Sequence, residues 1–136
     1  MRDYRGKRLD GKGWVYGWLS MGGSELYTKY DPKKAYISEA IEVLNRIEVD
    51  PATVEQQVGL KDVDGVEIYE GDIVKAKGFC NPDTFLIEYI EGAHCCTHPT
   101  IKGWPIDINM MYPSIGCQIK IIGSITDNPE LLGENQ

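Results

Sequence analysis

Four side chains in the run His94-Cys95-Cys96-Thr97-His98 belong to residue types that bind soft or borderline metals. Imidazole and thiolate are the usual zinc ligands, so a zinc site is the first chemistry to weigh. His94 and His98 share a face on either a helix or a strand, because a spacing of four suits both periods. On a strand they stand about 13 Å apart, too far to share one ion. Cys96 could join either histidine, and Cys80 or Cys117 could complete a set. No C-x-x-C pair is present to anchor one. The reading the spacing supports better is a strand with Cys95 buried as a small apolar group. His94, Cys96 and His98 are kept as the metal candidates, and no cofactor is expected.

A cysteine nucleophile needs a nearby base and a lowered pKa. Cys96 and His98 lie two apart on one strand face, but no oxyanion-stabilising motif accompanies them. The acid pairs Glu88/Glu91 and Asp62/Asp64 fall on turns or solvent faces and read as solvated carboxylates. Neither GxxxxGK nor GxGxxG occurs. The chain is therefore expected not to be an enzyme. A third constellation, Trp14, Tyr16 and Trp18, puts three aromatics on one strand face beside a basic end. The plain reading is a core face, because large aromatics are the most favourable groups to bury. The other is an interaction surface with Arg2, Arg5 and Arg8, where aromatics stack bases or anchor a partner.

These groups must be positioned by a chain of 136 residues, which suits one domain or a domain with a small subdomain. Folding should bury roughly two-thirds of the extended-chain surface. Apolar content of 42% and charged content of 26% are globular values. Residues 1–12 hold five bases and two acids, and the other 124 residues carry a balance of −10. An acidic body disfavours non-specific nucleic-acid binding, which depends on neutralising phosphates. The basic end reads most simply as a frayed terminus. No apolar run approaches the ~20 residues needed to cross a bilayer, and no signal peptide opens the chain. A cytoplasmic location with free thiols is expected.

The periodicity is mainly that of short strands. Trp14–Leu19 alternates, Met21–Ser24 reads as a turn, and Glu25–Tyr30 reads as the return strand of a hairpin. Residues 35–48 mix helical spacing, with Ser38 as a plausible cap, and a strand near Ile47–Val49. Asp50-Pro51 opens a helical turn, as does Asn128-Pro129. Asp64-Gly65 and Glu70-Gly71-Asp72 are tight turns. Thr84–Ile90 is the clearest strand, with Phe85, Ile87 and Tyr89 on one face. Pro99–Tyr112 reads as a long loop anchored by Trp104, and Gln118–Ile125 as a closing strand. Five or six short strands with glycine turns indicate a small roll or barrel.

Two runs carry a resemblance. Val49-Asp50-Pro51-Ala52-Thr53-Val54 leads into Gly59-Leu60-Lys61-Asp62-Val63-Asp64-Gly65-Val66-Glu67-Ile68-Tyr69-Glu70-Gly71-Asp72-Ile73-Val74, and Ile122-Gly123-Ser124-Ile125-Thr126-Asp127-Asn128-Pro129-Glu130-Leu131-Leu132 follows later in the chain. Their order and spacing resemble the signature of the YopX family of phage- and prophage-encoded proteins. Gln57-Val58 replaces an aromatic-threonine pair, and Ser124 replaces an asparagine. The resemblance implies an SH3-like β roll, a bacterial host cytoplasm and no established activity.

The expectation that follows is a mainly β protein. An N-terminal hairpin layer covers 1–48, an SH3-like roll with one or two short helical turns covers 49–132, and a frayed tail covers 133–136. Gly59, Gly65 and Gly71 should hold turns, Leu60, Ile68, Ile73 and Val74 the core, and Asp62 and Asp72 their own turns. Lys61, Asp62, Glu70 and Asp72 could alternatively form a binding edge. The partner expected is a second copy, with a host or phage protein next, nucleic acid less favoured and no membrane. Exposed edges in a small roll need cover, and pairing between subunits supplies it.

Overall fold

The computed structural model describes residues 4–21, 33–39, 46–77, 84–98, 101–108 and 118–133. The expected return strand at Glu25–Tyr30, Arg2, Cys80 and Cys117 lie outside them. The protein is mainly β, with two antiparallel sheets and few helices. It forms two compact units, residues 1–57 and 58–136, so residues 49–57 group with the N-terminal part. Among the described residues no helix is long and apolar enough to cross a membrane.

In the first unit β1 (Tyr4–Lys7) pairs with β2 (Trp14–Met21), β2 with β3 (Ala35–Ser38), and β3 with β4 (Arg46–Val49). The other edge of β1 takes the start of β5 (Glu55–Lys61), Arg5 opposite Glu55. The end of β1 also meets β4. Arg8 bridges Val49, Asp50 N–H donates to Lys7 O at 2.8 Å, and Leu9 N–H donates to Glu48 O at 3.2 Å. These bonds close the curled sheet around Val15, Ala35, Ile37 and Val49. Closure needs small residues where strands press together. A Cβ on Gly17 would lie 1.9 Å from the Ser38 carbonyl oxygen, so no side chain fits there.

The terminal basic segment is thus not frayed from Tyr4 onward. It is a strand between β2 and β5, because Arg5 gains a buried carboxylate partner there. Within 35–48 the strand expected near Ile47–Val49 is present as β4, and Ala35–Ser38 is a strand as well; residues 40–45, on which most of the helical spacing falls, lie outside the described residues. Asp50 caps the 3-10 turn Pro51–Thr53 as expected, its carboxylate accepting Ala52 N–H at 3.0 Å.

In the second unit β6 (Glu67–Tyr69) follows β5. A five-stranded sheet has the order β10-β9-β8-β7-β11, formed by β7 (Asp72–Lys77), β8 (Thr84–Ile90), β9 (Ala93–His98), β10 (Ile101–Asp107) and β11 (Gln118–Ser124). Short α1 (Glu130–Gly133) follows. Ile68, Val74, Ala76, Phe85, Ile87, Cys96, Ile108 and Ile119 form the core. Each fully buried aliphatic side chain contributes about 1.5–3 kcal/mol. The expected core residues Ile68, Ile73 and Val74 are fully buried, while Leu60 is half-buried. Of the loop expected over Pro99–Tyr112, residues Ile101–Asp107 are instead β10, while 99–100 and 109–112 lie outside the described residues. The register of β10 against β9 is interrupted between Ile101 and Ile106, which erases the period of two, and an edge position tolerates Pro105.

Candidate functional site

The motif aspartates are engaged inside the fold. Asp62 is buried, and one carboxylate oxygen accepts the N–H groups of Asp64 and Val66, each at 2.9 Å. The other oxygen accepts Ile121 N–H at 3.1 Å. Val63 N–H donates to Ile119 O at 2.8 Å, so the 62–66 turn covers the outer edge of β11. Burial works to raise the Asp62 pKa, but the N–H groups of Ile121, Val66 and Asp64 outweigh it and hold the pKa below the usual value. Asp72 is buried and accepts Tyr69 N–H at 2.8 Å. Gly71 has φ 86° between them, while Gly65 (φ 80°) lies in the Asp62 turn. Gly59 is corrected: its φ is 93°, but it lies within β5 rather than in a turn.

The third motif segment is equally internal. Asn128 was expected to cap the following turn with its side chain. Instead its side-chain oxygen turns back to accept Ser124 N–H at 3.2 Å, while its carbonyl accepts Leu131 N–H. Pro129 O accepts Leu132 N–H. Ser124, buried, uses its hydroxyl oxygen to accept Asp127 N–H at 3.1 Å. Of the polar motif side chains, Lys61 is exposed and Glu70 half-buried.

Glu70 leads to an outward-facing feature. Its carboxylate meets His94 Nε2 at 2.9 Å. The His94 ring packs edge-on against Tyr89, its directly opposed cross-strand partner, with ring centroids 5.1 Å apart. Tyr89 is 59% exposed. The hairpin turns immediately after it through Glu91 and Gly92, at φ 48° and 89°. Glu91 is the one non-glycine residue with positive φ among the described residues. That conformation costs an L-residue about 1–2 kcal/mol. The tip thus presents a braced aromatic and a strained acid side by side.

A groove of about 280 Å³ lies on the outer face of β7 and β11, lined by Val63, Lys75, Gln118, Lys120 and Ile122. Lys75 and Lys120 are directly opposed in register. Like charges so placed repel one another. Asp64 pairs with Lys120 and draws its pKa upward. Lys75 makes no ion pair among the described residues. Val63 and Ile122 are exposed apolar lips.

The His94/Cys96/His98 set does not come together. His94 goes to Glu70, Cys96 lies in the core, and His98 is buried further along β9. Among the described residues no group of three or more His, Cys, Asp or Glu could hold a metal ion. Cys95 is buried as expected, and burial, with Asp107 and Glu88, pushes its thiol pKa up.

The aromatic stripe is not the core face. Val15 and Gly17 are buried, whereas Trp14, Tyr16 and Trp18 point to the opposite face and are half-buried. The Arg5 guanidinium lies 4.5 Å and the Lys7 ammonium 4.8 Å from the Trp14 ring centroid. Arg5 is buried and its Nε donates to Glu55 at 2.8 Å, so it cannot serve a partner as expected. Arg8 pairs with Asp10 at 2.7 Å at the surface. Sequence reasoning missed Glu55 and the lysine pair, because cross-strand register is not visible in a single strand's pattern.

The sequence pattern of the YopX protein family matches residues 3–133. No curated protein matches the chain. Among solved structures, the crystal structure of protein EF1440 from Enterococcus faecalis is similar over 97% of this chain and 98% of its own. The identity is 21% and the TM-score 0.53, a likeness of fold.

Proposed function

Because the chain belongs to the YopX family, we propose that it is a phage-type, non-enzymatic interaction module that associates with further copies of itself in the bacterial cytoplasm. The observation that carries this reading is the Glu70–His94–Tyr89 relay. A family-motif carboxylate holds a histidine, and the histidine braces an exposed aromatic at a hairpin tip. Fixed, exposed aromatics are the usual anchors of protein interfaces, since they bury large area at little entropic cost. The buried motif carboxylates Asp62 and Asp72 spend their hydrogen bonds on backbone N–H groups. That pattern supports a scaffold role for them over acid–base chemistry.

Light scattering across a concentration series tests the reading. The wild-type protein should scatter as an oligomer, with Tyr89→Ala shifted toward monomer. A clean monomer at high concentration would refute self-association.

A second reading rests on Trp14, which lies beneath two cations on an outward face. Aromatics beside cations suit single-stranded nucleic acid. Under this reading binding to single-stranded DNA falls steeply with salt and is lost in Trp14→Ala. Absence of binding at low salt would remove it.

A further inference from the structure

We propose that the groove between Lys75 and Lys120 is the socket for the Tyr89–Glu91 hairpin tip of a second copy of this chain. The inference rests on the self-association reading and names the two surfaces that meet. The second unit holds five bases against twelve acids, a balance of −7. Within that acidic unit two lysines face each other across neighbouring strands, and Lys75 has no acidic partner among the described residues. Asp64 pairs with Lys120, so Lys75 is the cation of the two left to attract an incoming carboxylate.

The tip supplies the complementary chemistry. Glu91 brings an exposed carboxylate, and Tyr89 brings an apolar ring of a size to meet the lips Val63 and Ile122. Glu91 holds a φ of 48°, so this turn carries an acid at a position where glycine or asparagine would cost less. The tip cannot reach its own groove. Thr84, opposite Lys75, stands at the other end of β8, about 23 Å from Glu91 along the strand. The contact is therefore between chains and joins unlike surfaces, which builds a ring or an open chain of subunits.

Sedimentation velocity on full-length wild type, Glu91→Lys, Lys75→Glu, and an equimolar mixture of the two variants tests the proposal. Both positions are exposed, so both variants should fold. Each variant alone should associate about tenfold or more weakly than wild type. The mixture should recover association, because every junction then has an opposite-charge pair available. If wild type assembles and the variants assemble equally well, or the mixture stays dissociated, the groove is not the socket. If wild type itself is monomeric, the self-association reading falls and this assignment falls with it.

Discussion

The carboxylate of Asp62 accepts the backbone N–H of Ile121, 59 positions further along the chain, at 3.1 Å. One side chain thus ties a turn to the outer edge of β11, while the neighbouring Val63 N–H occupies Ile119 O on that edge. An edge strand that offers free backbone groups invites pairing with other chains, and this turn blocks it. Strand addition at this edge is therefore closed to a second chain.

Removing the Asp62 carboxylate strands the N–H groups of Asp64, Val66 and Ile121. Asp62→Ala should cost about 2–3 kcal/mol of folding stability by urea denaturation. A loss within ~0.5 kcal/mol would show that water replaces the carboxylate without penalty.

Asp62 also sets an acid limb. Its pKa is lowered on folding, so its carboxylate binds protons less readily in the native state. The stability it contributes is present above the unfolded value of 3.8 and is lost as pH falls through the lower folded value. Stability measured from pH 6 down to pH 2 should fall less steeply in Asp62→Asn than in wild type. Parallel curves would contradict the assignment.

Gly17→Ala should destabilise by at least about 3 kcal/mol, because its Cβ would overlap the Ser38 carbonyl oxygen at 1.9 Å. Thermal unfolding checks this, with Ser20→Ala on the same strand as a near-neutral comparison. An unchanged midpoint would mean that the first unit is less tightly closed than described.

Glu55→Ala leaves the buried Arg5 guanidinium without its carboxylate. The expected loss is about 3–5 kcal/mol by urea denaturation. The double variant Arg5→Met with Glu55→Leu should recover most of it, because an apolar pair needs no charge partner. Equal losses in the single and double variants would argue against a paired role.

Much of the second unit was legible in the sequence. Asp64-Gly65 and Glu70-Gly71-Asp72 announced their turns through residues that tolerate or demand positive φ, and Phe85 and Ile87 announced a strand by alternation. Three features were hidden for physical reasons. Arg5 looked like a terminal charge because Glu55, which buries it, lies fifty positions away. The Trp14 stripe looked like a core because its size favours burial, yet Val15 and Gly17 fill the tight interior of a small curled sheet. Lys75 and Lys120 became a site only through register, which depends on how β7 meets β11. His94 carries a ligand-type side chain, but its distant partner Glu70 makes it a brace for Tyr89.

The most direct test of that brace and its use is a photochemical one. With Tyr89 replaced by a photoreactive phenylalanine, irradiation of the concentrated full-length protein should give a covalent dimer. Mass spectrometry should place the adduct between position 89 of one copy and the segments around Val63 or Ile122 of the other. A protein that yields no covalent dimer, or whose adducts fall elsewhere, would contradict the account.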